Sequence, residues 1–168
     1  DTANMAIQAA LTGHLVLSTL HTNDAPSSLT RLHDLGVQPF LTAATILGVL
    51  AQRLVRKLCP HCKQESFLDE QEWQHLAVDY PLPRPEFVFK AVGCEECRHT
   101  GYKGRIGIYE FMPLSLTTKQ LIGADANLNQ LRQQAKKEGV EPLRIAGARK
   151  ILEGVTTLEE VLRVVPLN

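Results

Sequence analysis

Apolar residues recur every three or four positions along most of the chain, which predicts amphipathic helices. The segments with this spacing are 2–12, 26–35, 39–50, 68–76, 117–122, 128–138, 142–153 and the stretch after Thr157. Asp1 or Thr2 is placed to cap the first helix, and Thr157 and Glu160 have the spacing of a capping box for the last. The tail of the chain is therefore predicted to be helical.

Two segments have the pattern of strands instead. The run 15–20 is short and almost continuously apolar, which is typical of a buried strand in a parallel sheet. A glycine-punctuated turn at 101–107 leads into a second predicted strand that ends near Met112, whereas 53–58 fits either a helix end or an edge strand. Helix, strand, helix, helix is the opening order of an α/β layer protein. Since one strand makes no parallel sheet, we expect the other strands in sequence outside this chain.

Composition and charge narrow the class of protein. The 168 residues are 44% hydrophobic and 21% charged, which is typical of a chain that buries a core. Eighteen basic residues balance eighteen acidic ones, and this neutrality argues against a general binder of nucleic acids or anionic membranes. The longest apolar run, 40–51, is too short to span a bilayer, and no signal-peptide pattern opens the chain.

The cysteines give the most specific chemical signal. They form two CxxC pairs, namely Cys59 with Cys62 and Cys94 with Cys97. Four thiolates at this spacing suit a tetrahedral Zn²⁺ ion whose closed shell makes it structural and not catalytic. The alternatives are two adventitious thiol pairs or a redox CxxC motif, and His61 or His99 could replace a cysteine as ligand. The intervening segment has few apolar residues, so it is expected to need such a staple.

Two histidines flank the predicted strand at 15–20. His14 comes just before it and His21 just after it, and ligands collect at the carboxyl ends of strands in open α/β sheets. An imidazole there could donate a hydrogen bond to a phosphate oxygen, although a purely structural role for both histidines fits the spacing equally well. The chain contains no phosphate-loop, GxGxxG, HExxH or GxSxG motif, so it is not expected to hold a triphosphate unaided.

Taken together, these motifs resemble the carboxyl-terminal half of the traffic ATPases of type II secretion and type IV pilus assembly. The resemblance runs through DTANMAIQAALTGHLVLSTLHTNDAPSSLTRLHDLGVQPFLTAATILGVLAQRLVRKLCPHC, then GCEECRHTGYKGRIGIYE and finally LRIAGARKILEGVTTLEEVLRV. It covers essentially the whole chain and is weakest at 64–91. The phosphate loop, the acidic box and the Walker B motif of that family would all precede Asp1.

The resemblance implies a fold and a division of the chain. The fold would be α/β: the carboxyl-terminal part of a RecA-like P-loop ATPase domain with an inserted tetracysteine zinc subdomain and a helical tail. The divisions would be 1–58 for the ATPase core, 59–104 for the zinc subdomain and 105–168 for a strand and the helical region. All four cysteines match the family's zinc motif. The pilus-retraction branch lacks that motif, so the resemblance favours assembly or secretion over retraction.

The resemblance also implies roles for individual residues. His14 and His21 fall on the family's histidine box, which faces the γ-phosphate, with His21 nearer the phosphates. Arg105 matches an arginine that approaches bound nucleotide, and its guanidinium suits that role because it can fork onto phosphate or stack on adenine. Judged by its position alone, Arg105 would be a surface turn residue. ATP and Mg²⁺ would be bound by the complete protein, and this chain by itself is expected to hydrolyse no ATP.

The implied setting is a cytoplasmic hexamer at the inner membrane. Its partners would be the neighbouring ATPase subunits and the inner-membrane platform and anchoring proteins of a secretion or pilus machine, with no nucleic acid among them. Two alternatives remain at this point, a zinc-ribbon nucleic-acid binder and a pure protein-interaction module. The neutral charge and the few aromatic residues beside the cysteines count against the first.

Overall fold

The computed structural model describes residues 2–123 and 127–165, so Asp1 as a candidate cap lies outside the described residues. The elements are α1 (Thr2–Leu11), α2 (Ala25–Asp34), α3 (Pro39–Thr45), β1 (Gly48–Leu58), β2 (Gln64–Ser66), α4 (Glu70–Leu76), β3 (Val88–Lys90), a 3₁₀ turn (Glu95–Cys97), β4 (Tyr102–Pro113), α5 (Leu116–Gly123), α6 (Leu128–Lys137), α7 (Leu143–Leu152) and α8 (Leu158–Val164). The chain is therefore mixed α/β, and within the described ranges no helix has the length and hydropathy to cross a membrane.

The chain divides into two compact units. The first unit comprises Asp1–Ala51 with Glu110–Glu141, and the second comprises Gln52–Tyr109 with Pro142–Asn168. Strands β1 and β4 pair in a two-stranded sheet, and the division between the units falls within both strands. The three-part division at 1–58, 59–104 and 105–168 follows the implied function and stays a prediction.

Helices supply most of the first unit. Helix α3 packs against α1 and α5, while α2 and α5 both pack against α6. Their apolar stripes meet in a core, because Leu29 of α2, Ile122 of α5 and Leu131 of α6 are almost fully buried. Each such side chain stabilises the fold by about 1.5–3 kcal/mol relative to an exposed one.

The second unit is organised around α7. This helix packs against α8, α4 and β3, and β3 pairs with β2 in antiparallel register, with Gln64 opposite Lys90. The side chains of Ile145, Ile151 and Val161 fill the space between α7 and α8 and are nearly inaccessible to solvent. The tetracysteine segment is thus built beside a compact helical pair.

The prediction of a buried strand at 15–20 is wrong. The segment is extended, but it belongs to neither of the sheets formed by the described residues. Leu15 is 77% exposed and Leu17 is 88% exposed. A buried parallel strand needs a neighbouring strand on each edge, and residues 2–123 and 127–165 offer this segment none.

The helix predicted at 39–50 is too long, and the ambiguous segment 53–58 is a strand. Helix α3 ends at Thr45, where Ile46 turns to extended backbone, and β1 then runs from Gly48 to Leu58. Pairing with the chain around β4 begins just before β1, since Leu114 N–H donates to the Leu47 carbonyl at 2.9 Å. Strand pairing therefore overrides the helical spacing of the last apolar residues.

Only one of the two hydrogen bonds of the capping box predicted for α8 forms. Thr157 Oγ1 accepts a hydrogen bond from Glu160 N–H at 3.1 Å, as an N-cap should. The Glu160 carboxylate is fully buried and accepts instead from Arg56 and Arg163, with the shortest Arg56 contact at 2.7 Å. Since Arg56 lies in β1, this carboxylate ties the strand to the start of α8.

Candidate functional site

The four cysteines converge in the second unit. Cys59 and Cys62 lie in the turn after β1, whereas Cys94 precedes the 3₁₀ turn after β3 and Cys97 is the last residue of that turn. Their four Sγ atoms lie within 4.8 Å of one another. The turns are held together by the backbone, because Cys59 N–H donates to the Gly101 carbonyl at 2.9 Å. The predicted clustering of the two CxxC pairs is therefore confirmed.

The sulfur separations fit a tetrahedral metal ion. Sulfurs at ~2.3 Å from a central Zn²⁺ lie roughly 3.8 Å apart. The observed distances are 3.9 Å between Cys59 and Cys94, and 3.8 Å both for Cys62 with Cys97 and for Cys94 with Cys97. All four thiols are free, so the cluster is not a pair of disulfides. The donor set and its spacing fit a closed Cys₄ site with no position left for substrate.

Backbone donors surround the sulfurs. Cys94 N–H and Gly101 N–H each donate to Cys97 Sγ at 3.2 Å, and Gly93 N–H donates to Cys62 Sγ at 3.3 Å. Burial opposes ionisation of Cys97, but the two backbone N–H groups, together with the neighbouring thiols of Cys94 and Cys62, outweigh it and lower its pKa to about 6. Burial, together with the three neighbouring thiols, raises the pKa of Cys62 to about 11, and the single backbone donor, Gly93 N–H, opposes this rise only in part. The polypeptide therefore already favours thiolate at one corner of the site.

Two glycines allow the backbone to fold this closely around the cluster. Gly93 has a φ of +113°, and a Cβ there would lie 2.7 Å from the His99 carbonyl oxygen. Gly101 has a φ of +75°, and a Cβ there would lie 2.5 Å from Ala91 Cβ. Any larger residue would be strained and would collide with facing atoms of the same 91–101 loop, so these positions need glycine.

The histidines near the cysteines take no part in the cluster. His61 and His99 are both exposed, and among the described residues the group able to hold a metal here consists of the four cysteines. His61 and His99 are therefore not ligands in this arrangement.

The cysteine cluster is anchored to the α7–α8 pair. Lys63, next to Cys62, donates from Nζ to the Gly154 carbonyl at 2.9 Å and lies 4.4 Å from the centroid of the Phe89 ring. Arg144 of α7 donates to the carbonyls of Leu76 and Val78 at the end of α4, the latter at 2.8 Å. A cation at the carboxyl terminus of a helix is stabilising, so Arg144 holds the carboxyl terminus of α4 against α7. The segment between the cysteine pairs is therefore held by contacts with α7 as well as by the cysteine cluster.

His14 and His21 lie on exposed backbone of the first unit. His14 follows the end of α1, and its Nδ1 is 3.1 Å from Thr12 Oγ1 and 3.3 Å from the Ala9 carbonyl oxygen. His21 is exposed just before α2, and no hydrogen bond or ion pair holds its imidazole within the part of the chain that the structure describes. His21 is therefore accessible to a ligand, whereas His14 closes the end of α1.

Arg105 lies in β4 and belongs to the second unit. Its side chain is exposed and has no polar partner among residues 2–123 and 127–165. The exposure of the Arg105 side chain is consistent with a contact to nucleotide and equally with a surface residue that binds no ligand. A common site for Arg105 and the two histidines stays a prediction.

Sequence reasoning missed the charged residues that hold the start of α2, a few positions after His21. Glu110 of β4 is 4% exposed, and its Oε1 accepts from Ala25 N–H at 2.8 Å. Asp24 caps α2 and pairs with Arg132 of α6 at 2.6 Å. The available signal was the alternation of β4, in which Ile108 and Met112 face inward and place Glu110 on the same buried side.

Comparison with known proteins identifies relatives over the whole chain. The type IV pilus assembly ATPase TfpB of Acinetobacter baylyi is 78% identical over 168 residues, which are all of this chain and 29% of that protein. Type II secretion system protein E of Pseudomonas aeruginosa is 50% identical over 164 residues, or 98% of this chain and 32% of that protein. The chain thus spans under a third of the length of these relatives.

A solved structure and a family profile complete the comparison. The crystal structure of the pilus retraction motor PilT with bound ADP matches with a TM-score of 0.63 and 21% identity, covering 98% of this chain and 36% of that one. At this identity the likeness concerns the fold, which is the mixed α/β fold of that motor. The profile of the family described as Type II/IV secretion system protein matches residues 1–163. The chain therefore belongs to the type II/IV secretion system protein family.

Proposed function

We propose that this chain is the carboxyl-terminal part of a RecA-like ATPase domain in a motor that assembles type IV pili. The observation that carries the proposal is the match with pilus assembly and secretion ATPases along the entire chain. The identity of 78% to TfpB, against 50% to the secretion protein, supports pilus assembly over secretion. The nucleic-acid-binding alternative gains no support from these relatives.

The cysteine cluster is proposed to hold a structural Zn²⁺ ion. When bound, the ion supplies four bonds that cross-link the turns after β1 and β3, and it performs no catalysis because its shell is full. The chain's own contribution is the set of backbone N–H groups of Gly93, Cys94 and Gly101, which donate to the sulfurs of Cys62 and Cys97 and stabilise thiolate charge there. The zinc subdomain would thereby present the segment 64–91 as one body.

The nucleotide side is proposed to use His14, His21 and Arg105. Phosphoryl transfer depends mostly on positioning and electrostatic stabilisation. The exposed His21 imidazole can donate to a γ-phosphate oxygen, and the Arg105 guanidinium can contact phosphate or base. Mg²⁺, the phosphate loop and the water-positioning residue would come from the rest of the motor, and neighbouring subunits of a hexamer would complete the site.

The proposed setting is the cytoplasmic face of the inner membrane. There the hexamer would bind platform and anchoring proteins of the pilus machine and convert ATP hydrolysis into pilin assembly. TfpB and its named relatives support this setting through their assignment to pilus and secretion systems.

A chimera tests the proposed activity. This chain replaces the corresponding 168 residues of TfpB, which supplies the remaining sequence, and phosphate release is measured with and without Mg²⁺. We expect Mg²⁺-dependent turnover from the chimera at a rate within about threefold of TfpB, and none from the chain by itself. A folded chimera without turnover, or turnover by the chain alone, would contradict the proposal.

A further inference from the structure

We propose that Glu110 is a positioning residue that fixes the turn at residues 21–25, which carries His21. Together with Asp24, it also closes the amino terminus of α2 to phosphate. The part of the proposal that concerns turnover rests on the function proposed above for His21. The part that concerns the geometry of the turn rests on this chain alone.

Glu110 occupies a position that normally holds an apolar residue. It is 4% exposed and lies on the buried side of β4. Burying a carboxylate is costly unless hydrogen bonds satisfy it. The bond from Ala25 N–H to Glu110 Oε1, at 2.8 Å, is such a partner, and Ala25 is itself fully inaccessible to solvent.

This bond completes the amino terminus of α2. The first N–H groups of a helix have no partner inside it. In α2, Ala25 N–H binds Glu110, Pro26 has no N–H, and Ser27 N–H binds Asp24 Oδ1 at 2.8 Å. The donors of the first turn are therefore used by the chain's own carboxylates.

Because the amino terminus of α2 is closed, only some groups in this turn can form a hydrogen bond with a phosphate. Helix amino termini bind anions because they offer free N–H groups and a positive dipole end. Here the N–H groups of Ala25 and Ser27 are already bound to the carboxylates of Glu110 and Asp24, and Pro26 has none, so a phosphate would find no free donor on residues 25–27. A nucleotide contact from this turn must therefore come from an exposed side chain, and His21 is one.

The turn is also held from α6 and from within. Arg132 Nε and Nη2 donate to Asp24 Oδ2 at 3.0 and 2.6 Å. Thr22 Oγ1 lies 2.8 Å from Ser28 Oγ, which pins the residue after His21 to α2. Three separate contacts thus fix residues 22–25, and a misplacement of about 1 Å at a reacting group can lower a rate about 100-fold.

Two variants of Glu110 separate positioning from charge. Glu110→Ala removes the acceptor for Ala25 N–H, whereas Glu110→Gln keeps an oxygen in its place. In this chain, we expect Glu110→Ala to accelerate amide hydrogen exchange at Ala25 and Ser27 at least tenfold, and Glu110→Gln to change it less than threefold. In the TfpB chimera, we expect Glu110→Ala to lower kcat at least tenfold with a change in KM for ATP below threefold, and Glu110→Gln to restore most of kcat.

Glu138→Ala is the matched control. Its carboxylate accepts from Ser115, Thr118 and Gln134 in the same unit, and none of these partners belongs to residues 21–25. We expect this variant to lower the melting temperature but leave exchange at Ala25 and kcat unchanged. Where Glu110→Ala does not fold, Arg132→Gln takes its place, because that side chain is half-exposed and holds the same turn.

The outcomes distinguish the two proposals. Unchanged amide exchange at Ala25 in Glu110→Ala overturns the proposal that Glu110 fixes this turn. Suppose that Glu110→Ala accelerates exchange at Ala25 but leaves the kcat of the chimera unchanged, while His21→Gln lowers kcat. This result overturns the positioning role of Glu110 and leaves the proposed function standing. An unchanged kcat in His21→Gln itself overturns the role proposed for His21, whereas the exchange result still tests the geometry of the turn.

Discussion

The cysteine cluster and the histidine segment differ in how much of each site this chain contains. The cluster has its four ligands, its backbone donors and its helical support within the second unit. The histidine segment presents exposed Leu15 and Leu17 and an imidazole without a polar partner in the described ranges. A chemically closed site can thus be recognised and tested in this chain, whereas the open site needs the rest of the proposed motor for its test.

The largest expected effect comes from breaking the closed site. Cys97→Ser removes a buried sulfur that accepts two backbone bonds, and we expect zinc content to fall from one ion per chain to none. Zinc bound to such sites contributes about 10–16 kcal/mol of apparent binding free energy, so the second unit should unfold at a much lower temperature. Elemental analysis and calorimetry measure the two effects.

Exposed histidines beside the cluster provide the control for that variant. His61→Ala and His99→Asn should keep one zinc ion per chain and an unchanged melting curve, because neither histidine belongs to the cysteine cluster and asparagine tolerates the positive φ of +60° at position 99. Removal of the metal by a strong chelator should reproduce the Cys97→Ser melting curve. An unaltered curve after metal removal would exclude a structural zinc ion.

An intermediate effect is expected at Glu160, which ties β1 to α8 in the same unit as the cluster. Burial opposes ionisation of this carboxyl, but hydrogen bonds from Arg163 and Arg56 outweigh it and lower the pKa from 4.5 to about 2. The folded state therefore holds the proton less tightly than the unfolded state. This contribution to stability is complete above about pH 4.5 and is lost as the pH falls towards 2.

Glu160→Gln should lower the free energy of unfolding at pH 7 by about 2–3 kcal/mol, since both arginines lose a charged acceptor. It should also flatten the acid dependence between pH 4.5 and 2, which denaturant titrations at several pH values would measure. Glu159→Gln, at the exposed neighbouring position, is the matched control and should retain the dependence. Equal acid profiles for both variants would contradict the assignment.

The smallest effect is expected in the open segment. Leu17→Ser replaces a side chain that is 88% exposed, so the free energy of unfolding of this chain should change by less than about 0.5 kcal/mol. Leu29→Ser, at a fully buried position of α2, is the comparison and should destabilise strongly. A loss above about 1 kcal/mol for Leu17→Ser would mean that 15–20 is packed in solution, contrary to this structure.

Sequence patterns predicted the local features of this molecule well. The helices and the strand β4 follow from apolar spacing, glycines and caps, all of which act over a few residues. Each CxxC pair also brings its two sulfurs close within one turn, as its spacing predicted.

Features that depend on distant partners were predicted poorly. The run 15–20 has the composition of a buried strand but lacks neighbours, and residues 48–50 exchange helical spacing for pairing in β1. Glu110 and Glu160 owe their roles to Ala25 and Arg56, which lie 85 and 104 positions away in the chain. The roles of His14, His21 and Arg105 stay predictions, since their proposed partners belong to a nucleotide.

The most direct test of the histidine segment is the ATP turnover of the TfpB chimera with His21→Gln, measured beside His75→Gln. His75 is an exposed histidine on α4 in the other unit and controls for the loss of an imidazole. Loss of one positioned donor to a developing charge lowers kcat by about 100-fold or more, so we expect a fall of at least tenfold for His21→Gln. His75→Gln should match the unmodified chimera. Equal turnover by the two variants would contradict the nucleotide role of His21.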